Sequence, residues 1–96
     1  MSKLVIISGA QCGAAIELND NISIGRGKSA DVQLADHTLS RRHAMLEVID
    51  DIWQIRDLDS SNGTFVNDVA VNDMTIWHDG DTVRLGTPVL IFHSEQ

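Results

Sequence analysis

An all-β sandwich is the fold this sequence predicts, on three observations. Short runs rich in Val, Ile, Leu and Phe recur along the chain, about eleven in all. Gly, Asn, Asp and Ser interrupt them every several residues with turn signals. No window sustains the i, i+3, i+4 spacing of an amphipathic helix, so helix content is expected to be small.

The elements follow in order. Residues 3–8 are a short apolar run bounded by Gly9, read as a buried strand. Residues 14–18 and 22–25 are the next two, joined by Asn19, Asp20 and Asn21, a strong turn signal. Polar or small residues fill 26–31, and Val32 and Leu34 then alternate with Gln33 as a brief strand. A polar loop spans 36–43, and residues 44–49 are apolar except for Glu47. Asp50-Asp51 reads as a hairpin turn into 52–56, where large apolar and polar side chains alternate. Thr64, Phe65 and Val66 are all strand-favouring types, and Asn67-Asp68 is a two-residue turn before 69–71. Residues 75–77, 82–85 and 89–92 close the series, with Asp79-Gly80-Asp81 and Gly86 as turns between them. Pro88 sits at a strand start, where its missing N–H does little harm. Trp53, Trp77, Phe65 and Phe92 are assigned to the core, the usual place for an aromatic in an alternating strand.

Size and charge narrow the function. A chain of 96 residues, 43% hydrophobic, is expected to form one domain over 1–96 with a single core. One cysteine, Cys12, excludes a disulfide framework within the chain and suits a reducing compartment. No apolar run approaches the roughly 20 residues of a membrane-spanning helix, and the N-terminal run is too short for a signal peptide. A soluble, cytoplasmic protein without membrane attachment is therefore expected.

The net charge of −7 argues against nucleic-acid binding, which needs a basic surface to displace counterions. The distribution says more than the sum. Arg26, Lys28, Arg41 and Arg42 fall between positions 26 and 43 beside only Asp31 and Asp36, so four bases less two acids leaves that window at +2. The rest carries three bases against twelve acids, or −9. A small basic island on an acidic body suits one compact anion and repels a long polyanion.

Several motifs look like chemistry and fail on context. Gly25-Arg26-Gly27-Lys28-Ser29-Ala30 matches a dinucleotide-binding pattern by letters, but no helix or crossover unit follows it. Gly27-Lys28-Ser29 resembles the end of a P-loop, yet the earlier glycine position holds Ile22. Ser40, His43 and Asp57 are nominally a hydrolase set, but no strained elbow surrounds the serine, and a histidine three residues on more often braces such a loop. His37, His43, His78, His93 and Cys12 lack metal-ligand spacing. No catalysis, metal or cofactor is expected.

The stretch 57–67 is different: Asp57-Leu58-Asp59-Ser60-Ser61-Asn62-Gly63-Thr64-Phe65-Val66-Asn67. Its Asp, Ser and Asn side chains favour turns, Gly63 permits positive φ, and a strand follows at once. Together with Gly25-Arg26, with Ser40-Arg41-Arg42-His43 and with the closing Asp79-Gly80-Asp81-Thr82-Val83-Arg84-Leu85-Gly86, it resembles the forkhead-associated (FHA) domain, a phosphothreonine-recognition module. The likeness runs from Lys3 to Phe92. It implies a sandwich of about eleven short, mostly antiparallel strands with binding loops gathered at one end. By position, Arg26 and Ser40 look like the phosphate ligands and Asn62 like the holder of the peptide main chain. Arg41 and Ser61 line the same site, while Gly25, His43, Gly63 and Thr64 support it. The implied partner is a phosphothreonine-containing protein, the product of a Ser/Thr kinase, with attachment to further domains in a longer protein open.

The residue types suit that task. Phosphothreonine carries about −1.5 to −2 charges and three acceptor oxygens. A guanidinium fork matches phosphate, a hydroxyl adds a neutral donor, and a carboxamide offers both donor and acceptor to an extended backbone. Three departures stand out. Asp59 puts an acid where such domains often have glycine, Ser61 stands where threonine is common, and Asn67-Asp68 replaces the more usual Asn-Gly turn. Lys28, Thr38 and Arg42 are candidates for tuning which flanking residues are preferred. The rival reading is a scaffold of the same fold that binds unphosphorylated protein.

Overall fold

Alternation of apolar and polar side chains, period two, decides which face of each strand is buried. The computed structural model describes residues 2–9 and 11–94, and among these there are eleven strands and no helix. They are β1 (Ser2–Ser8), β2 (Ala15–Leu18), β3 (Ile22–Gly25), β4 (Val32–Gln33), β5 (Ala44–Ile49) and β6 (Ile52–Asp57). Next come β7 (Thr64–Val66), β8 (Val69–Ala70), β9 (Met74–Ile76), β10 (Thr82–Leu85) and β11 (Val89–Ser94). Each coincides with a run expected from the sequence, with ends shifted by no more than two residues.

Two sheets face each other. One has six strands in the order β2-β1-β11-β10-β7-β8 and the other five in the order β4-β3-β5-β6-β9. All pairings are antiparallel except β3 with β4. Leu4, Ile6, Leu85, Leu90 and Phe92 from the first sheet meet Ile24, Leu46, Trp53 and Ile55 from the second in one buried cluster. Each such side chain removed from water contributes about 1.5–3 kcal/mol, which is what holds the sheets together. Trp77 stacks obliquely on Phe92, ring centres 5.0 Å apart.

Phe65 departs from expectation. It is only partly buried, because its neighbours Thr64 and Val66 take the inward positions of the three-residue β7. Its ring instead lies 4.1 Å under the Arg84 guanidinium, a cation–π contact on the outer face.

Two tight turns lie at one end. Asp50 and Asp51 join β5 to β6 with φ of 52° and 64°, and Asn67 and Asp68 join β7 to β8 with 50° and 67°. Two consecutive positive φ values define the hairpin turn matched to right-handed strand twist, and Asp and Asn tolerate that region better than other non-glycine residues. At the opposite end the connections are longer: 26–31, 34–43, 58–63 and 86–88. Chain direction fixes this division, since β3 and β6 end there and β5, β7 and β11 begin there.

Candidate functional site

Three of those longer loops are tied directly to one another. The Arg26 N–H donates to the Ser40 carbonyl and the Gly27 N–H to the Arg41 carbonyl, both at 3.0 Å. This close approach requires Gly25, whose hypothetical Cβ would overlap the Arg41 carbonyl oxygen. The Ser61 N–H donates to Ser40 Oγ at 2.9 Å, and Asn62 Nδ2 donates to the Thr38 carbonyl at 2.6 Å. Arg26, Ser40, Arg41, Ser61 and Asn62, dispersed over 37 positions of sequence (62 less 26, counted inclusively), therefore meet at one rim.

His43 is the pin beneath this rim. It is fully buried, and its ring joins two loops: Nδ1 accepts the Ser40 N–H at 3.1 Å, and Nε2 lies 2.8 Å from the Gly63 carbonyl. Because Nδ1 accepts, the neutral ring carries its proton on Nε2 and donates it to Gly63. Both nitrogens are thus engaged with backbone, so the imidazole is not placed to take a proton from the Ser40 hydroxyl. Its own backbone adds two links, N–H to the Ile24 carbonyl and carbonyl to the Leu58 N–H.

A second pin is Asp57. Its Oδ1 accepts the hydroxyls of Ser60 at 2.5 Å and of buried Thr64 at 2.7 Å, and Oδ2 accepts the Ser60 N–H. Ser60 Oγ in turn accepts the Gly63 N–H at 3.0 Å. Burial pushes the Asp57 carboxyl up, but the hydrogen bonds from the Ser60 hydroxyl, the Thr64 hydroxyl and the Ser60 N–H outweigh it and hold the group below the usual value. Asp36 is also lowered, by the Thr38 hydroxyl first and the Thr38 N–H second.

The turn geometry of 57–63 adds one detail. Gly63 has φ of +86°, as its place before the strand suggests, and Asp59 is left-handed too, at 54°. That is the physical reason a glycine suits position 59. The Asp59 side chain is exposed and makes no hydrogen bond to the loop among the described residues.

Three participants were not singled out as supports from sequence. The Thr38 carbonyl holds Asn62, and its hydroxyl accepts the Thr87 N–H at 2.9 Å, tying in the 86–88 loop. The Leu39 carbonyl takes Arg26 Nε at 3.0 Å. Gly86 passes so close to Thr38 that an added Cβ would lie 2.7 Å from its hydroxyl oxygen. The Asp-x-Thr sequence at 36–38 is the one local signal for this, a motif whose carboxylate caps the backbone two residues on.

What this geometry leaves free is chemically definite. Arg26 is exposed and fixed at Nε, so its terminal nitrogens face outward. Ser40 Oγ already accepts one N–H, which leaves its proton to be donated. Asn62 keeps its carbonyl oxygen and one N–H. Among the described residues no ion pair engages Arg26, Lys28, Arg41 or Arg42. The rim is a set of preorganised donors with uncompensated positive charge.

A β-sandwich with such a rim belongs to the class of loop-borne binding modules. The FHA domain profile matches residues 22–86. FhaB of Mycobacterium tuberculosis is 36% identical over 89 residues, covering 92% of this chain and 54% of FhaB. The glycogen accumulation regulator GarA of the same organism is 37% identical over 90 residues, covering 93% of this chain and 55% of GarA. The chain thus spans about half the length of these curated relatives. A domain from a structural and functional analysis of phosphothreonine-dependent FHA domain interactions superimposes with a TM-score of 0.89 at 32% identity, covering 99% of this chain and 97% of that one. This chain belongs to the FHA domain family.

Proposed function

We propose that this chain is a phosphothreonine-peptide recognition module of intracellular Ser/Thr-kinase signalling, acting in the cytoplasm by binding rather than turnover. Arg26 and Ser40 hold the phosphate, and Asn62 holds the main chain of the bound peptide. Arg41 and Ser61 line the same rim, while Gly25, His43, Gly63 and Thr64 keep the loops in register.

The observation that carries this reading is the state of Ser40 and Arg26 together. The serine oxygen is occupied as an acceptor and the guanidinium is anchored at one nitrogen, so both present donors outward from fixed positions. Little ordering entropy remains to be lost when an anion arrives, which favours affinity from a small contact area. Charged hydrogen bonds contribute about 1.5–3 kcal/mol each, and two or three of them with the peptide contacts reach the roughly 8 kcal/mol of a micromolar complex. The relative analysed for phosphothreonine-dependent interactions supports the ligand class.

Titration with an oriented phosphothreonine peptide library and its dephosphorylated counterpart tests this. Micromolar binding of the phosphorylated form alone is expected. Equal affinity for both forms would make the domain a phospho-independent scaffold.

A further inference from the structure

The end of the sandwich away from the loops carries a second set of features that phosphate recognition does not use. Among the described residues β9 is an edge strand, bonded to β6 on one side only. The Trp77 N–H donates to the Trp53 carbonyl at 2.9 Å, which fixes the phase of this ladder. By antiparallel alternation, the N–H and C=O groups of Met74 and Ile76 point away from β6 to the open side. β9, three residues long, has no Lys, Pro or internal charge to block pairing, whereas β4 and β8 are only two residues long and β2 carries Glu17.

The same region is apolar where it meets solvent. Ile49 and Ile52 are paired directly across β5 and β6, and Ile76 lies diagonally beyond Ile52 on the same face. With Met74, all four are between 45% and 57% exposed. Beside them a cleft of about 610 Å³ opens at this end of the sandwich, lined by Trp53, Trp77, Phe92, Ile52 and Ile76. Trp77 forms part of the cleft wall, and its indole N–H, itself closed off from solvent, has no acceptor among the described residues.

Charge selects the occupant. Asp51 and Asp79 line the cleft and Asp50 is in the adjoining turn, while Asp73 at the other end of β9 is already paired with Arg56. We propose that the free edge of β9 and its cleft dock an extended peptide segment of a partner protein, with alternating apolar and basic residues, added as a further strand. Its backbone pairs with Met74 and Ile76, its apolar side chains cover Ile52 and Ile76 or enter the cleft, and its basic residues face the aspartates. A second copy of this chain meets the same acidic rim with its own, and like charge opposes that pairing.

The test is an amide NMR titration of the full chain with a synthetic octapeptide of alternating lysine and valine. Expected are shifts at Met74, Ile76 and the Trp77 indole N–H, with affinity weakened about tenfold by Ile76→Lys. Ile76→Thr keeps strand propensity and is expected to weaken binding several-fold, while either variant holds phosphothreonine-peptide affinity within about twofold. The proposal is overturned by shifts confined to the Arg26 rim, or by no binding up to about 1 mM. Equal binding of a lysine–glycine octapeptide would overturn it too, as charge alone. So would the same resonances moving with protein concentration in the absence of peptide, which would make the occupant a second copy.

Discussion

The two ends of this sandwich solve the problem of connecting strands in opposite ways. At one end, Asp50-Asp51 and Asn67-Asp68 close hairpins with two residues each at positive φ, and among the described residues only Asn67 of these is further tied by its side chain, to Asp81 and Thr82. At the other, the 34–43 and 58–63 loops are too long for that and are held by side chains: His43 between Ser40 and Gly63, and Asp57 among Ser60 and Thr64. Asn62 on the Thr38 carbonyl completes the set. The contrast lies in how side chains are held. The Asp50, Asp51 and Asp68 carboxylates of the tight turns are exposed and make no hydrogen bond that fixes them among the described residues, whereas a braced loop fixes one atom of a side chain and leaves another free, as Arg26, Ser40 and Asn62 all do.

The sharpest way to break the braced end is His43→Ala. It leaves the Ser40 N–H and Gly63 carbonyl without partners and opens a hole at a fully buried site, at a cost of about 3–5 kcal/mol in chemical denaturation. A cost below about 1 kcal/mol would mean the loops hold themselves. Arg26→Ala separates bracing from binding. It is expected to weaken phosphothreonine-peptide affinity by about 2–5 kcal/mol in calorimetric titration while changing stability by less than about 1 kcal/mol.

Asp57→Asn is intermediate. An amide cannot accept from all three donors around the carboxylate, so about 1–2 kcal/mol of stability should go. It should also flatten the acid limb of the unfolding profile. The carboxyls of Asp57 and Asp36 are lowered in the fold from an ordinary value of 3.8, so their stabilisation is present above that pH. It is lost as the pH falls through the lower folded values. Asp57→Asn should remove part of that loss and leave the Asp36 part. The smallest effect belongs to the other end. Asp68→Gly relieves a left-handed φ of 67° but frees the unfolded chain, so thermal melting should show a net gain of about 0.5 kcal/mol or less.

All eleven strands were legible because apolar runs and turn residues alternate along the whole sequence, and both Asp50-Asp51 and Asn67-Asp68 announce their hairpins. Phe65 was misread as core because three residues are too few for period two to outweigh the apolar character of a phenyl ring. In the rim, the identities of Arg26, Ser40 and Asn62 were legible from a family resemblance, and the histidine brace from its spacing to Ser40. The ties that bring those residues together were not. The Thr38 and Leu39 carbonyls act through backbone, which any residue type supplies, so no letter marks them. Gly86 was read as a turn, yet its approach to Thr38 depends on two loops 48 residues apart in sequence (86 less 38).

Crystals grown in sulfate, without peptide, test the convergence of the rim most directly. One sulfate is expected with oxygens within about 3 Å of both the Arg26 guanidinium and Ser40 Oγ, with the Ser61 N–H still on that hydroxyl. A sulfate held elsewhere on the basic island while Arg26 and Ser40 stay unengaged would contradict it.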